Sequence, residues 1–509
     1  MSLPIVDTPL ATRPALPPSR EAGWNPALEP ALFRTAGDEA LVARLRLPRA
    51  LVVTTGQQPG LFTGPSYAVS KALSARALSL VLERAWARPV VPVYWIPGDD
   101  HDLHEVAAVS WLNGEGGLVS AALPPRAPEA PLTPLWRERL GQPVLPLLDA
   151  FEQSFPVAAT ASGTVEWLRR HYQPDASLAG AYGAALAELL APFGILCLDS
   201  SHPAVKQAAA PLLLQALERV AGLDSALAAR AQQLTREGRD PGVPVGEQAS
   251  LVFLDGPLGR DRLVQDGAGL MTRRSRTPVP LTELERIAAA EPTRLSGNVL
   301  LRPVLESALL PTVAYVAGPG ELRYLALTPP VYQQLGVTAQ APVPRWSGLL
   351  VEPRVTRVLE KYGCSIAELI AEGAELEARI TRQAYPDGTD AAFAGLRGAI
   401  ERGYEPVIRA AAGVDPTLER PAAAARAQAL HGLDALARKL AQHARKREST
   451  ELGQVARART SVRPEGKPQE RVLSMAGFLA RYGPELLGAL AAHIESWYAR
   501  VLEGAPAST

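Results

Sequence analysis

Six ionisable side chains occupy seven positions of the stretch "GDDHDLHEV": Asp99, Asp100, His101, Asp102, His104 and Glu105. They follow directly on "VVPVYWI", an apolar run rich in β-branched and aromatic residues that reads as a buried strand. Carboxylates at a strand end can hold an ammonium group or a Mg²⁺ ion, or take a proton in transit. Asp100, His101, Asp102 and Glu105 are therefore the candidate catalytic groups. The spacing carries no zinc signature of the His-Glu-x-x-His kind, and no metal-ligand set is assigned. A solvated acidic loop capping the next helix would be spelled with the same letters.

Two glycine-bearing turns stand at other strand ends. In "VVTTGQQPGLFTGPSYAVSKA" a β-branched strand runs through Thr55 into Gly56, Gln57, Gln58, Gly60, Thr63 and Gly64, then into a helix carrying Lys71. The glycines allow sharp turns and close backbone approach to a ligand. Amides leading into the helix at Ser66, with its dipole behind them, would face an anion, and Thr63 could cap that helix. In "AYVAGPGELRY" Gly318 and Gly320 form a second such turn, followed by Glu321. Just upstream, "SGNVLLRPVLE" supplies Asn298 and Arg302, the latter a side chain able to clamp a carboxylate or phosphate with two hydrogen bonds. An ordinary salt bridge would also account for Arg302.

These turns need a scaffold that brings strand ends together. From about residue 50, short apolar strands alternate with helices, the pattern of a parallel sheet covered on both faces, whose ligands sit at the carboxyl edge. Residues 1–38 are Pro-rich and read as an N-terminal arm. The α/β core extends over 39–355, with inserted connecting segments near 113–190 and 203–297. Within the second insertion, "QASLVFLDG" and "DRLVQDGAGL" read as an antiparallel pair. Beyond 356 the pattern becomes helical. Ile366, Leu369, Gly373, Leu376 and Ile380 follow a 3-4 spacing, as do Leu430, Leu433, Ala437, Leu440 and Ala444, while Phe393, Leu396 and Ile400 begin a third seam. Such spacing predicts an antiparallel helical hairpin or coiled coil that joins two copies in a homodimer, with the C-terminal segment returning to the core.

The 509 residues carry 52 Lys+Arg and 52 Asp+Glu, so no global charge draws a polyanion and nucleic acid is not expected as a partner. The basic stretch "LAQHARKRESTELGQVARARTSVRPEGKPQER" is accounted for by a solvated helix face. Two cysteines, Cys197 and Cys364, lack metal-type neighbours and fit a reducing compartment. No run approaches the roughly 20 apolar residues of a membrane helix, and the N-terminus has no signal-peptide layout. A cytoplasmic protein with no membrane partner is expected.

Taken together, "TTGQQPGLFTGPSYAVSKA", "VPVYWIPGDDHDLHEV", "RPVLESALLPTVAYVAGPGELRYLA" and "PEGKPQERVLSMAGFLARYG" resemble the signature blocks of the bacillithiol-biosynthesis cysteine-adding enzymes, the BshC family. The blocks stand in the family's order, from about residue 50 to near the C-terminus. The resemblance implies a Rossmann-like core with connecting insertions, a coiled-coil region that mediates dimerisation, and a cysteine ligase joining cysteine to the amino group of glucosaminyl malate. Amide formation by such a ligase makes ATP the expected co-substrate, with Mg²⁺ a further candidate at the acidic cluster. The family's cores are related to synthetases whose Leu-His-Ile-Gly-His turn holds ATP. Here Leu61, Phe62, Thr63, Gly64 and Pro65 stand in the corresponding place, without either histidine, and no KMSKS-like lysine loop follows. Adenylate and acyl phosphate both stay open as activation routes.

Two readings follow. In the first, an amide ligase holds phosphates on the glycine turn, an ammonium or Mg²⁺ on the acidic cluster and a carboxylate on Arg302. In the second, a degenerate synthetase-like core serves as a non-catalytic nucleotide- or thiol-sensing dimer. So many acids beside a phosphate site favour the first.

Overall fold

The computed structural model describes residues 3–502 apart from 11, 157, 247, 268 and 372, and the side chains of 373 and 374 are also left undescribed. Residues up to Leu350 together with those from Lys467 form one compact unit, and Val351–Gly466 form a second.

The first unit is organised by a six-stranded sheet. Its order is Ala341–Pro344, Thr312–Ala317, Leu51–Gly56, Val90–Ile96, Leu196–Asp199 and Leu32–Phe33. The first five strands run parallel, and Leu32–Phe33 closes one edge antiparallel. Every residue of Leu51–Gly56, Val90–Ile96 and Thr312–Ala317 is buried. That explains their largely apolar spelling, because helices cover both faces and no alternation with polar residues is needed. In chain order the strands progress outward in one direction from Leu51–Gly56, then return to its other side with Thr312–Ala317. This reversal is the topological switch point at which open α/β sheets form a crevice. The helix Tyr67–Trp86 packs over the sheet with a face of Ala and Ser residues, and Glu485–Leu502 packs against it in turn.

Two insertions decorate the sheet. After Val90–Ile96 come the hairpin Ala108–Leu112/Leu118–Ala122 and the helices Val144–Gln153, Ala161–His171 and Leu178–Leu190. After Leu196–Asp199 come two helices and a four-stranded antiparallel sheet ordered Gly269–Thr272, Gly259–Asp266, Ala249–Gly256, Leu295–Gly297. The antiparallel pair expected from sequence is its centre, with Gly256 opposite Gly259 across the turn. The Pro-rich N-terminal stretch is tied down at several points. Ile5–Asp7 pairs with Gly348–Leu350, and the Arg20 guanidinium donates to the carbonyls of Ser307 and Leu310.

The second unit is entirely helical among its described residues. Leu369, Leu376 and Ile380 of the first seam are buried, as are Leu433 and Ala444 of the second. Thr389–Val414 and Glu419–Arg447 form a long hairpin joined by a short turn at Pro416–Leu418. Thr389–Val414 buries no residue fully, and Leu396, Val407 and Leu436 of the hairpin are about half exposed.

Candidate functional site

A cavity of about 650 Å³ lies at the carboxyl ends of Leu51–Gly56 and Val90–Ile96, beside the switch point. Three of the sequence stretches converge on it. Gly56, Gln57 and Gln58 come from the first turn, Asp99, Asp100 and Glu105 from the acidic cluster, and Asn298, Arg302 and Glu321 from the third region. The position of Gly56 follows from packing, since a Cβ there would lie 2.5 Å from the Trp95 carbonyl oxygen.

The acidic side of the cleft is organised by one amide. Gln58 Nε2 donates to Asp100 Oδ2 at 2.6 Å and to Glu105 Oε2 at 3.0 Å. Asp100 Oδ1 accepts from the backbone amides of His101 (2.7 Å) and Asp102 (3.2 Å). Burial would raise the Asp100 pKa, but Gln58, the charge of Arg260 and these amides more than offset it and hold it below the ordinary carboxylate value. Asp99 instead pairs with the buried Lys206, Nζ to Oδ2 2.5 Å.

The opposite side is a buried ionic network. Lys71 has no exposed surface; Nζ lies 2.6 Å from Glu321 Oε2 and also donates to the Gly56 carbonyl. Burial lowers the Lys71 pKa to about 8, against the pull of Glu321. Glu321 is kept ionised despite its burial by Lys71 and Arg302, and it accepts from the Tyr315 hydroxyl at 2.6 Å and the Gly318 amide at 2.8 Å. Arg302 donates to the Tyr324 hydroxyl at 2.8 Å and lies 3.7 Å from Glu321. Asn298 braces the turn that leads into the helix Arg302–Leu309, its Oδ1 accepting from the amides of Leu300 and Leu301 at 3.0 Å each.

Nine of the expected residues do not line this cavity. Thr55 is buried, and its hydroxyl bonds the Val316 carbonyl of the neighbouring strand. Lys71 acts from behind Gly56, and Gly318 and Gly320 open the helix Pro319–Leu325 behind Glu321. The stretch corresponding to the ATP-holding turn of the related synthetases is closed off. Leu61, Phe62 and Thr63 are fully buried, and Phe62 and Thr63 take left-handed φ values of 49° and 66°. Tyr172 holds this strained turn by accepting from the Thr63 amide and donating to the Gly60 carbonyl, and Phe62 packs edge-on against Tyr172 and Phe151.

Three expectations are corrected there. Thr63 does not cap the helix, because its hydroxyl bonds the Phe62 carbonyl. Gly60 and Gly64 serve the fold of the turn. The helix start is also not open to a ligand. Pro65 bridges to Ser474, and the Ser66 amide donates to the Leu473 carbonyl at 2.8 Å.

The acidic cluster needs a correction as well. The side chain of Asp102 is an N-cap, accepting from the Glu105 amide at 3.3 Å, and it lies exposed outside the cavity. The ring of His101 turns to Arg260, with Nδ1 3.2 Å from Nη1. Burial and Arg260 lower its pKa although Asp100 and Asp102 oppose them, so the ring is neutral at neutral pH and receives a hydrogen bond on Nδ1.

Sequence reasoning passed over Arg260, Arg262, Phe253 and Tyr324, all of which line the cleft. Arg260 stacks 4.0 Å from the Phe253 ring centroid and is anchored by Ser296 and the Gly297 carbonyl. The charged run Arg260, Asp261 and Arg262 at the start of the inserted strand Gly259–Asp266 was the available signal.

Comparison with known proteins agrees with this architecture. Residues 34–346 match "Bacillithiol biosynthesis BshC, N-terminal Rossmann-like domain", and residues 348–500 match "Bacillithiol biosynthesis BshC, C-terminal coiled-coil domain". A protein of Symbiobacterium thermophilum named "Putative cysteine ligase BshC" is 31% identical, over 94% of this chain and 90% of its own length. One of the same name from Koribacter versatilis is 32% identical, over 89% of this chain and 84% of its own length. The chain belongs to the BshC family.

In this BshC-family chain the acidic cluster is a poor fit to a resident metal. Among the described residues no group of three or more His, Cys, Asp or Glu side chains converges to hold one. Asp99 and Asp100 spend their oxygens on Lys206, Gln58 and backbone amides. Among the described residues no helix is long and apolar enough to cross a membrane.

Proposed function

We propose that this BshC-family chain is an amide ligase of bacillithiol biosynthesis, joining the carboxyl of cysteine to the amino group of glucosaminyl malate with ATP as co-substrate. The observation that carries the reading is one cleft lined both by an acidic pair, Asp100 and Glu105, and by a cation, Arg302. Amide formation needs an activated carboxyl and an unprotonated amine, and ATP supplies the activation. Arg302 keeps its charge in spite of its burial, with the ionised Glu321 beside it and the Tyr324 hydroxyl accepting from it, which suits it to a substrate carboxylate. Asp100, held ionised, suits an incoming ammonium. Glu105 is exposed to the cleft and tied only by Gln58, so it can accept the amine's proton as the carbon–nitrogen bond forms and the activated oxygen departs. No step is routed through Mg²⁺.

The same reading makes the chain a homodimer through the helical unit, supported by the half-exposed Leu396, Val407 and Leu436 along its hairpin. It also places the chain in the cytoplasm, where the two free thiols Cys197 and Cys364 would stay reduced.

Incubating purified protein with cysteine, glucosaminyl malate and ATP, with thiol and nucleotide products identified by mass spectrometry, tests the reading. Bacillithiol formed with matching nucleotide consumption is expected. No bacillithiol overturns the ligase reading, and equal turnover without ATP overturns the activation step.

A further inference from the structure

One carboxylate behind the cleft has no role in the reading above. Glu306 lies one helical turn beyond Arg302, with Oε1 3.9 Å from Arg302 Nη1, and is fully buried. Among the described residues neither of its oxygens meets a donor in good hydrogen-bond geometry, though Thr54 and Gln340 lie close enough to favour its charged form weakly. Polar neighbours are at hand but occupied elsewhere. The Thr54 hydroxyl donates to Gln340 Oε1 at 3.3 Å, and Gln340 Nε2 donates to the Pro303 carbonyl at 3.1 Å. An ionised carboxylate in that setting is costly, whereas a neutral carboxyl is tolerated.

The charges around Glu306 give its protonation a consequence. Lys71 and Arg302 are cations and Glu321 is an anion. Tyr315, Tyr324 and Tyr332 face the same region and stay neutral, their pKa values raised by burial. Arg20, from the N-terminal stretch, binds the last carbonyls of the Glu306 helix and faces Tyr332. With Glu306 neutral, the Lys71–Arg302–Glu321 group keeps one excess positive charge at the cleft wall. With Glu306 ionised that excess vanishes.

We propose that Glu306 is a proton-carrying positioning residue: its buried carboxyl stands protonated behind Arg302 and leaves the guanidinium's charge to an anionic ligand, while its ionisation neutralises the site. Binding of a carboxylate at Arg302 and retention of the Glu306 proton are then one linked equilibrium, so anion affinity falls as Glu306 ionises. Burial, opposed by Arg302 and more weakly by Thr54 and Gln340, lifts this carboxyl to about 7, within reach of ordinary cellular pH. The coupling rests on the proposed role of Arg302 as a carboxylate holder; the protonation of Glu306 does not.

Glu306→Gln, a neutral near-isostere, tests both parts on the full-length protein. Thermal melts from about pH 5 to 9 address protonation alone. The wild type is expected to lose melting temperature relative to Glu306→Gln as pH rises from about 5 to about 7, and to run parallel to it above that range; curves parallel throughout would overturn the proposal. Isothermal titration with L-malate as probe addresses the coupling. Between about pH 7 and 8, below the range where Lys71 also loses its proton in both proteins, the wild-type affinity is expected to fall by up to tenfold, with proton uptake on binding, while Glu306→Gln binds without that slope. The same slope in both proteins, or no malate binding by the wild type, overturns the coupling. Arg302→Gln separates the two ideas, since malate binding that survives it removes Arg302 as the holder whatever the melts show about Glu306.

Discussion

A single amide nitrogen, Nε2 of Gln58, reaches two carboxylates at once, Asp100 at 2.6 Å and Glu105 at 3.0 Å. The residues are more than forty positions apart in the chain, on turns that follow adjacent parallel strands. Gln58 thus ties the acidic pair together across the two turns and fixes the spacing of its carboxylates.

Replacing Glu105 by Gln keeps the hydrogen-bonding shape and removes the proton acceptor. Bacillithiol formation is expected to fall roughly a hundred- to ten-thousand-fold, with melting unchanged, because the side chain is exposed. Steady-state rates set beside a melting curve check this, and undiminished turnover would move the base elsewhere.

Gln58→Leu leaves both carboxylates without their shared donor. Asp100 then loses the largest of the interactions that lower its pKa against burial, and its value should rise. The expected outcome is weaker binding of the amine substrate at low pH, seen as a shift of the acid limb of the kcat/KM profile to higher pH.

Removing the charge of Lys71, as in Lys71→Met, strands Glu321 beside Arg302 in a buried site. Breaking a buried pair from one side costs about 3–5 kcal/mol, part of which Arg302 can offset. Denaturant unfolding should show a loss of that order. A loss under about 1 kcal/mol would mean that solvent reaches the pair.

His101 and Asp102 separate on the same test. His101 has a lowered pKa in the folded chain, so below its ordinary value of about 6.5 the unfolded chain binds the proton more readily. Stability contributed by the neutral ring is therefore present above that value and lost as pH falls below it. His101→Gln should flatten the fall in melting temperature over that window. Asp102→Asn keeps a capping oxygen and should change both stability and turnover little; a large loss of turnover would restore Asp102 to the chemistry.

For the helical unit, Leu396→Asp with Leu436→Asp puts charges on two half-exposed apolar positions of the hairpin. Light scattering is expected to show a dimer for the wild type and a monomer for the double variant. A monomeric wild type at micromolar concentration would remove the dimer proposal.

The sequence by itself determined the covered parallel sheet, the antiparallel pair in the second insertion and the helical seams, because strand burial and helix periodicity are written locally, residue by residue. It also marked Gln58, Asp100, Glu105 and Arg302, since polar groups at the ends of apolar strands have few structural uses. What only the tertiary structure decided is which of those groups face one another. Phe62 and Thr63 look like part of an open turn, yet Tyr172, Phe151 and Ser474, from distant segments, bury them. Arg260 lies on an inserted sheet, and which face of that sheet meets the cleft depends on how the insertion docks. Glu306 spells an ordinary helix residue four positions after Arg302; its full burial, with the nearby Thr54 and Gln340 turned mainly to other partners, is set by segments far away in the chain. Local patterns specify elements, whereas partnership and desolvation of a side chain depend on contacts between segments far apart in the chain.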